Sequence, residues 1–295
     1  MKKLSLLLMV LTSLAFVGSA KAQVFYSTDF DSMTPGSIFG QDGWSNLDGS
    51  NGSNYVQSVT NAASYSGSQS WLLSSAYGES NDGTILAIAA PSLATAGESN
   101  TVFGGTPAYN QYNESFWFRS VATSDDPGLY ISSAIGSPAS VRNTWLGIYE
   151  DNGGLYVGNY ASDATGNFGD NPNATTSALT WGSWYQVKVS ANFINGPDND
   201  QVNYQVLDAN GNVLLNSTIG SWETYYANDP TAEDAPGPVP SNRVTFELGG
   251  QSTDQGIYID NFSESVASTP EPSAWTLGLL SLVLFAVLLR RFKVA

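Results

Sequence analysis

Residues 184–219 read WYQVKVSANFINGPDNDQVNYQVLDANGNVLLNSTI. Apolar and polar residues alternate at its start: Tyr185, Val187 and Val189 share one face, and Gln186, Lys188 and Ser190 share the other. Side chains along a strand point alternately to opposite faces, so a period of two marks a half-buried β-strand. QVNYQVLD (201–208) repeats the pattern, with Val202, Tyr204 and Val206 inward. Asn210-Gly211 then supplies a tight turn, because both residues tolerate positive φ, and VLLNSTI (213–219) runs back beside it.

Similar short runs recur on both sides of this stretch. They include VFYSTDF (24–30), SWLLSS (70–75), TILAIAA (84–90), ESFWFRSV (114–121), GLYISSAI (128–135) and TWLGIYED (144–151). LYVGNY (155–160), RVTFELGG (243–250) and GIYIDNFSES (256–265) complete the series. No helical period of useful length and no internal repeat interrupts them. About twelve strands punctuated by Gly, Asn, Asp and Pro predict an all-β domain, a two-sheet antiparallel sandwich over residues 23–267. The stretch NDPTAEDAPGPVPSN (228–242) reads as one long acidic loop within that domain.

Charge and missing residue types exclude several chemistries. The chain carries a formal net charge of −16. Between residues 23 and 269 only Arg119, Arg142, Lys188 and Arg243 oppose 25 acids, a net of −21. Such a body repels phosphate backbones, so nucleic acid is not a partner. There is no His and no Cys. That removes Ser-His-Asp catalysis, imidazole metal ligation, thiol chemistry and disulfides.

The two ends are of a different kind. Lys2 and Lys3 precede an apolar run from Leu4 to Val17, and Ala20-Lys21-Ala22 places small residues where signal peptidase inspects them. Residues 1–22 are therefore expected to be a signal peptide, cut between Ala22 and Gln23. In segment 268–295, Pro270-Glu271-Pro272 leads into an uncharged Leu-rich run (274–289) and a basic tip (290–293). The run predicts a single transmembrane helix. Trp275 sits at one interface, and Arg290 and Arg291 reach the other. The positive-inside rule leaves the tip in the cytoplasm and the body outside the inner membrane.

This ending resembles the PEP-CTERM sorting domain in its motif, adjacent helix and arginine-rich tip. The resemblance implies recognition by exosortase, a membrane protease that cuts near the motif. The precursor is then a single-pass inner-membrane protein, and the product reaches the cell surface or the medium. The body resembles the concanavalin A-like, or laminin-G-like, jelly roll through DFDSMTPGSIFGQDGW (29–44), the 184–219 stretch and GIYIDNFSES. That fold serves lectins, glycanases, lyases and structural modules alike, so it does not fix function.

Some members of that fold hydrolyse glycans with a Glu-x-Asp-x-x-Glu strand, and this chain has none. No catalytic residue is assigned, and Glu114, Glu150, Asp151 and Glu247 are the acids to search if activity appears. Asp29 and Asp31 flank Phe30 and share a face, and Asp260 lies in the last strand. The resemblance implies that first and last strands pair and hold a structural Ca²⁺, so these three are its expected ligands; the alternative is solvated acids or turn caps. Asp198 and Asp200 read as a hairpin turn. Among eight Trp and fifteen Tyr, Trp71, Trp117, Trp145 and Trp184 are expected in the core. Trp44 and Trp181 fit either surface or core. Trp222, Tyr225 and Tyr226 form a loop platform for glycan stacking, or else pack on the sandwich edge.

The expectation is an exported, non-catalytic cell-surface or extracellular-matrix protein in contact with exopolysaccharide. A lectin-like carbohydrate-binding module is the alternative, and a polysaccharide hydrolase or lyase is the second. The ends generate a direct test. Mass spectrometry of the mature chain is expected to show a start at Gln23, and alanines at 270–272 are expected to hold the precursor in the inner-membrane fraction. Surface delivery of that variant overturns the sorting reading.

Overall fold

The computed structural model describes residues 24–47, 56–74, 86–98, 107–121, 128–134, 142–162, 168–228, 239–248 and 256–268. The expected signal peptide, the sorting motif, the span at 274–289 and the tip lie outside them, as does most of the 228–242 loop. Among the described residues no helix is long and apolar enough to cross a membrane.

The body is an all-β, two-sheet antiparallel sandwich. One sheet has nine strands: β1 (Val24–Thr28), β2 (Gly36–Ser37), β4 (Val56–Thr60), β5 (Ser70–Ser74), β7 (Gln111–Ser120), β12 (Tyr185–Asn192), β13 (Gln201–Asp208), β14 (Val213–Gly220) and β16 (Ile257–Ala267). The other has seven: β3 (Ser45–Asn46), β6 (Leu86–Ala89), β8 (Leu129–Ala134), β9 (Leu146–Asp151), β10 (Gly154–Ser162), β11 (Phe168–Thr175) and β15 (Arg243–Leu248). A short helix, α1 (Glu223–Asn228), follows β14. The nine-stranded order is β14-β13-β12-β7-β16-β5-β4-β2, and the seven-stranded order is β11-β10-β9-β8-β15-β6-β3.

The opening stretch forms β12, β13 and β14, paired in sequence, with Asn210-Gly211 at the β13–β14 turn. Tyr185, Val187, Val189, Val202, Tyr204 and Val206 are buried, as their alternation requires. Strand β16 is the seam of the larger sheet. Along one side it pairs with β7; along the other it pairs first with β5, through Ile257–Ile259, and then with β1, through Phe262–Val266. A bulge between Asp260 and Ser263, with Asn261 at φ 47°, marks the change of partner.

Both sheets contribute to one core, centred on Trp44, Trp71, Phe246 and Phe262. Trp44 and Trp71 lie 5.0 Å apart, and Phe246 meets Trp71 edge-on at 5.1 Å and 88°. The Trp44 indole N–H is satisfied by the Tyr26 hydroxyl at 2.9 Å.

Two acids share this interior. Glu114 of β7 and Glu264 of β16 are register partners, 3 % and 1 % exposed. Glu264 accepts from the Tyr112 hydroxyl at 2.7 Å and the Val244 amide at 3.1 Å. Burial, joined at Glu114 by the charge of Glu264, pushes both carboxyls up to about 8. Asp200 and Glu223, also buried, rise to about 7 and about 8.

A carboxyl raised on folding gives the folded chain the higher proton affinity. Its stability contribution is full below the ordinary carboxylate range and is lost as pH rises toward 8. The melting temperature is therefore expected to fall between pH 5 and pH 8. Glu114→Gln, which cannot ionise, is expected to flatten that fall and to gain more than about 1.4 kcal/mol at pH 8, a tenfold change in the folding equilibrium. A pH-independent melting temperature counts against the buried pair.

Candidate functional site

The outward face of the seven-stranded sheet carries an aromatic strip with charge in its middle. Leu146, Ile148, Leu155, Val157, Ile131, Val244 and Phe246 point into the core. Period two then turns Tyr149, Tyr156, Tyr130, Thr245 and Glu247 outward. Across the sheet, Glu247 faces Tyr130, Tyr130 faces Gly147, and Gly147 faces Gly158. The two glycines leave a low floor beside Tyr130.

Tyr149 lies down over that floor. A Cβ on Gly158 would sit 2.9 Å from the Tyr149 hydroxyl, and one on Gly154 would sit 2.8 Å from the Tyr156 ring. The two tyrosines face each other across β9 and β10, centroids 5.9 Å apart and planes 22° apart. Tyr130 continues the strip to Trp145 at 5.5 Å, and Trp145 to Trp222 at 5.4 Å.

Arg142 sits among these rings, its guanidinium carbon 4.1 Å from the Trp145 centroid and 5.6 Å from that of Trp222. Such cation–π contacts hold the guanidinium in place. Glu247, 3 % exposed, accepts from the Ser132 hydroxyl at 3.4 Å. Burial raises its carboxyl, and Arg142 and Ser132 oppose that rise.

The sequence offers two readings of Trp222, Tyr225 and Tyr226, a loop platform for glycan or packing on the sandwich edge, and the structure shows packing. They belong to the start of α1 and a small second core. Trp222 and Tyr226 are each 6 % exposed and pack with Val239, Trp145 and half-buried Tyr225. Ser221 caps the helix through the Glu223 amide at 3.1 Å. The Trp222 amide donates to the Asn143 carbonyl at 2.9 Å, and Asn143 donates to the Val239 carbonyl at 2.7 Å. Of the expected platform, only Tyr225 keeps substantial exposure. Trp145, expected in the core, is half-buried on the outward face. Trp117 and Trp184 are likewise half-buried, while Trp71 and Trp44 are core and Trp181 packs against it.

Asp29, Asp31 and Asp260 do not converge on a cation. Among the described residues no group of three or more acidic side chains is placed to hold a metal ion. These acids receive backbone amides instead. Asp260, wholly buried, accepts from Tyr65 at 2.6 Å, Ser66 at 3.1 Å and Asn261 at 2.7 Å. Asp31 accepts from the amides of Ser68 and Gln69, each at 2.8 Å. Asp29 accepts from the Asp31 amide at 3.1 Å and lines a polar recess with Asp42 and Asn261. Charge-assisted bonds to N–H groups satisfy a carboxylate as a cation would.

The remaining acids are scattered. Glu114 is in the core with Glu264. Glu150 accepts from the Gly153 amide at the β9–β10 turn, and Asp151 accepts from Asn152 at 2.8 Å. Glu247 stands on the aromatic face, opposite Tyr130.

No protein-family model and no curated protein sequence matches the chain. Among solved structures it is similar to the cellulose-induced protein Cip1, at 12 % identity over 81 % of this chain and 96 % of that one, TM-score 0.40. It is similar to a lectin from Bauhinia forficata in complex with GalNAc, at 10 % identity over 85 % and 100 %, TM-score 0.39. It is also similar to alginate lyase A1-II', a member of polysaccharide lyase family 7, at 10 % identity over 74 % and 85 %, TM-score 0.38.

The burial of Trp222 yields a test. Trp222→Ala is expected to cost about 3–5 kcal/mol in a denaturant titration, as for a core aromatic. A change within about 0.5 kcal/mol, usual for a surface site, returns the residue to an exposed loop.

Proposed function

We propose that this chain is an exported, non-catalytic surface protein that binds polysaccharide through the outward face of its seven-stranded sheet. One observation carries the reading: Tyr149 and Tyr156 stack across β9 and β10, their ring atoms close over Gly158 and Gly154, on the face that also carries Tyr130 and Trp145. Flat aromatic faces suit the apolar faces of sugar rings. Arg142 and Glu247 lie in the same strip, Glu247 buried and Arg142 half-buried against Trp145. The export reading is supported by the signal-like N-terminus and by the PEP-CTERM resemblance of the C-terminus.

The non-catalytic part rests on where the acids lie. Glycoside hydrolysis by the common route needs two carboxyl groups flanking one bond. The cross-strand neighbours of Glu247 are Tyr130 and Ala87, and neither is an acid. The hydrolase or lyase reading is favoured by Glu247 itself, a buried carboxyl beside a hydroxyl and an arginine. It predicts product sugars that vanish in Glu247→Gln.

Affinity electrophoresis in gels containing neutral or acidic polysaccharide tests the proposal. Retardation is expected, and Tyr149→Ala with Tyr156→Ala is expected to weaken binding about thirty-fold, the equivalent of a 2 kcal/mol aromatic anchor. Binding that survives the double variant unchanged overturns this site, and accumulating oligosaccharides overturn the non-catalytic assignment.

A further inference from the structure

The opposite side of the sandwich carries a second surface built for a neutral chain. The outward positions of β7, β12, β13 and β14 hold Asn, Gln, Ser, Thr, Leu, Trp, Gly and two cations, and no Asp or Glu. In a body of net charge −21, a merely solvated face would carry its share of acids. This face carries none on four adjacent strands.

Its centre is an open recess of about 320 Å³. Ser263, Ser115, Lys188 and Gln205 cross it in one row of register partners. Ser265, Asn113, Ser190 and Asn203 form the next. Glu114 touches the recess from β7 but faces the core. Ser115 and Ser263 hydroxyls are 2.9 Å apart, and Asn203 donates to Asn216 at 3.2 Å and to Thr218 at 3.0 Å. Linked amides and hydroxyls of this kind both donate and accept, as sugar hydroxyls do.

Aromatic rings flank the recess. Trp117 is the next outward residue of β7 after Ser115. Tyr65 stacks on it at 3.7 Å and 11°, and Trp184 meets Tyr65 at 5.9 Å. On the far flank Phe25 is 59 % exposed and faces Ser265 across β1 and β16. The stack is held in place from beneath: Asp260 fixes the Tyr65 and Ser66 amides, and Asp31 fixes those of Ser68 and Gln69.

We infer that the nine-stranded face is a second carbohydrate site, for an uncharged polysaccharide laid along the recess against the Tyr65–Trp117 stack. It stands independently of the aromatic strip on the opposite sheet. With both faces occupied, one molecule bridges two polymer chains.

The full chain is tested with hydroxyethyl cellulose and galactomannan as neutral probes and polygalacturonate as the acidic one. The Tyr149→Ala, Tyr156→Ala variant removes the first face and is expected to leave a weaker, residual binding of neutral polymer. Adding Tyr65→Ala is expected to weaken that remaining binding about thirty-fold. Ser115→Asp, a surface change that brings a charge into the recess, is expected to do the same while the melting temperature stays unchanged. Binding should vary little between low and high salt, because no ion pair carries it. The inference is overturned if the double variant already binds no neutral polymer, if Ser115→Asp binds as the parent does, or if this face prefers polygalacturonate. It is also overturned if light scattering shows a dimer that Ser115→Asp dissociates, since the face is then a contact between copies. Failure of the first face alone shows as unchanged binding in the double variant and leaves the Tyr65 and Ser115 results to decide the second.

Discussion

Asp260 is the residue on which the larger sheet and its aromatic stack both depend. A carboxylate taken wholly out of water costs several kcal/mol unless hydrogen bonds replace the lost solvation. Here three backbone amides do so. Two of them belong to Tyr65 and Ser66, nearly two hundred residues away along the chain; the third is that of Asn261, whose positive φ forms the bulge. The same side chain thus fixes the place where β16 leaves β5 for β1 and the loop that sets Tyr65 on Trp117. Gly67 completes the arrangement. At φ 62° its missing Cβ leaves the space in which Asp31 reaches the amides that follow, and a methyl there would overlap the Asp31 carboxylate.

This explains why the sequence leaves two readings of Asp29, Asp31 and Asp260, cation ligands or turn caps. Spacing shows that acids share an edge, and any cation or amide could balance them. What decides is where the 61–69 loop goes, and no local pattern encodes that. The strands are far more legible. The runs with period-two alternation form strands, and ESFWFRSV lies in β7 with strict alternation of burial. That same alternation holds a signal that residue type obscures. Phe116 and Phe118 point inward, so Trp117 between them must point out, however apolar an indole is. Four strands give no such signal. β2 and β3 are two residues each, β4 is a short hydroxyl-rich run, and β11 contains Pro172, which is admissible because β11 is an edge strand. The helix is hidden for another reason. Six residues are too few for a helical period, and only the Ser221 cap marks its start. With α1 formed, Trp222 turns toward Trp145, and edge packing prevails over an exposed platform.

The distribution of charge follows one rule. Acids that lie inside are hydrogen-bonded to backbone, as Asp260 is, or tend to hold their protons, as Glu114 and Glu264 do. The four cations of the body all stand in or beside outward strand faces: Arg119 and Lys188 on one sheet, Arg142 and Arg243 at the other. A protein this acidic repels an anionic polymer at long range, and salt screens that repulsion only beyond about 10 Å at 0.1 M. On β7, β12, β13 and β14 the outward positions hold no carboxylate, which removes the repulsion locally, where the proposed glycan would lie.

A sandwich presents its two outward faces in opposite directions, which has a consequence for binding two polymers. Sites on a single face compete for the same polymer segment or extend along one chain. Sites on opposite faces cannot both reach a stiff chain, so the second contact must come from another chain or from a distant loop of the same one. Once one face is bound, the other samples polymer at the local concentration of the matrix, and weak individual contacts add into a lasting link. Individual affinities therefore need not be high, which suits shallow surfaces made of rings and amides. On this physics the two proposed sites, one on each side of a two-sheet core, suit the linking of two polymer chains.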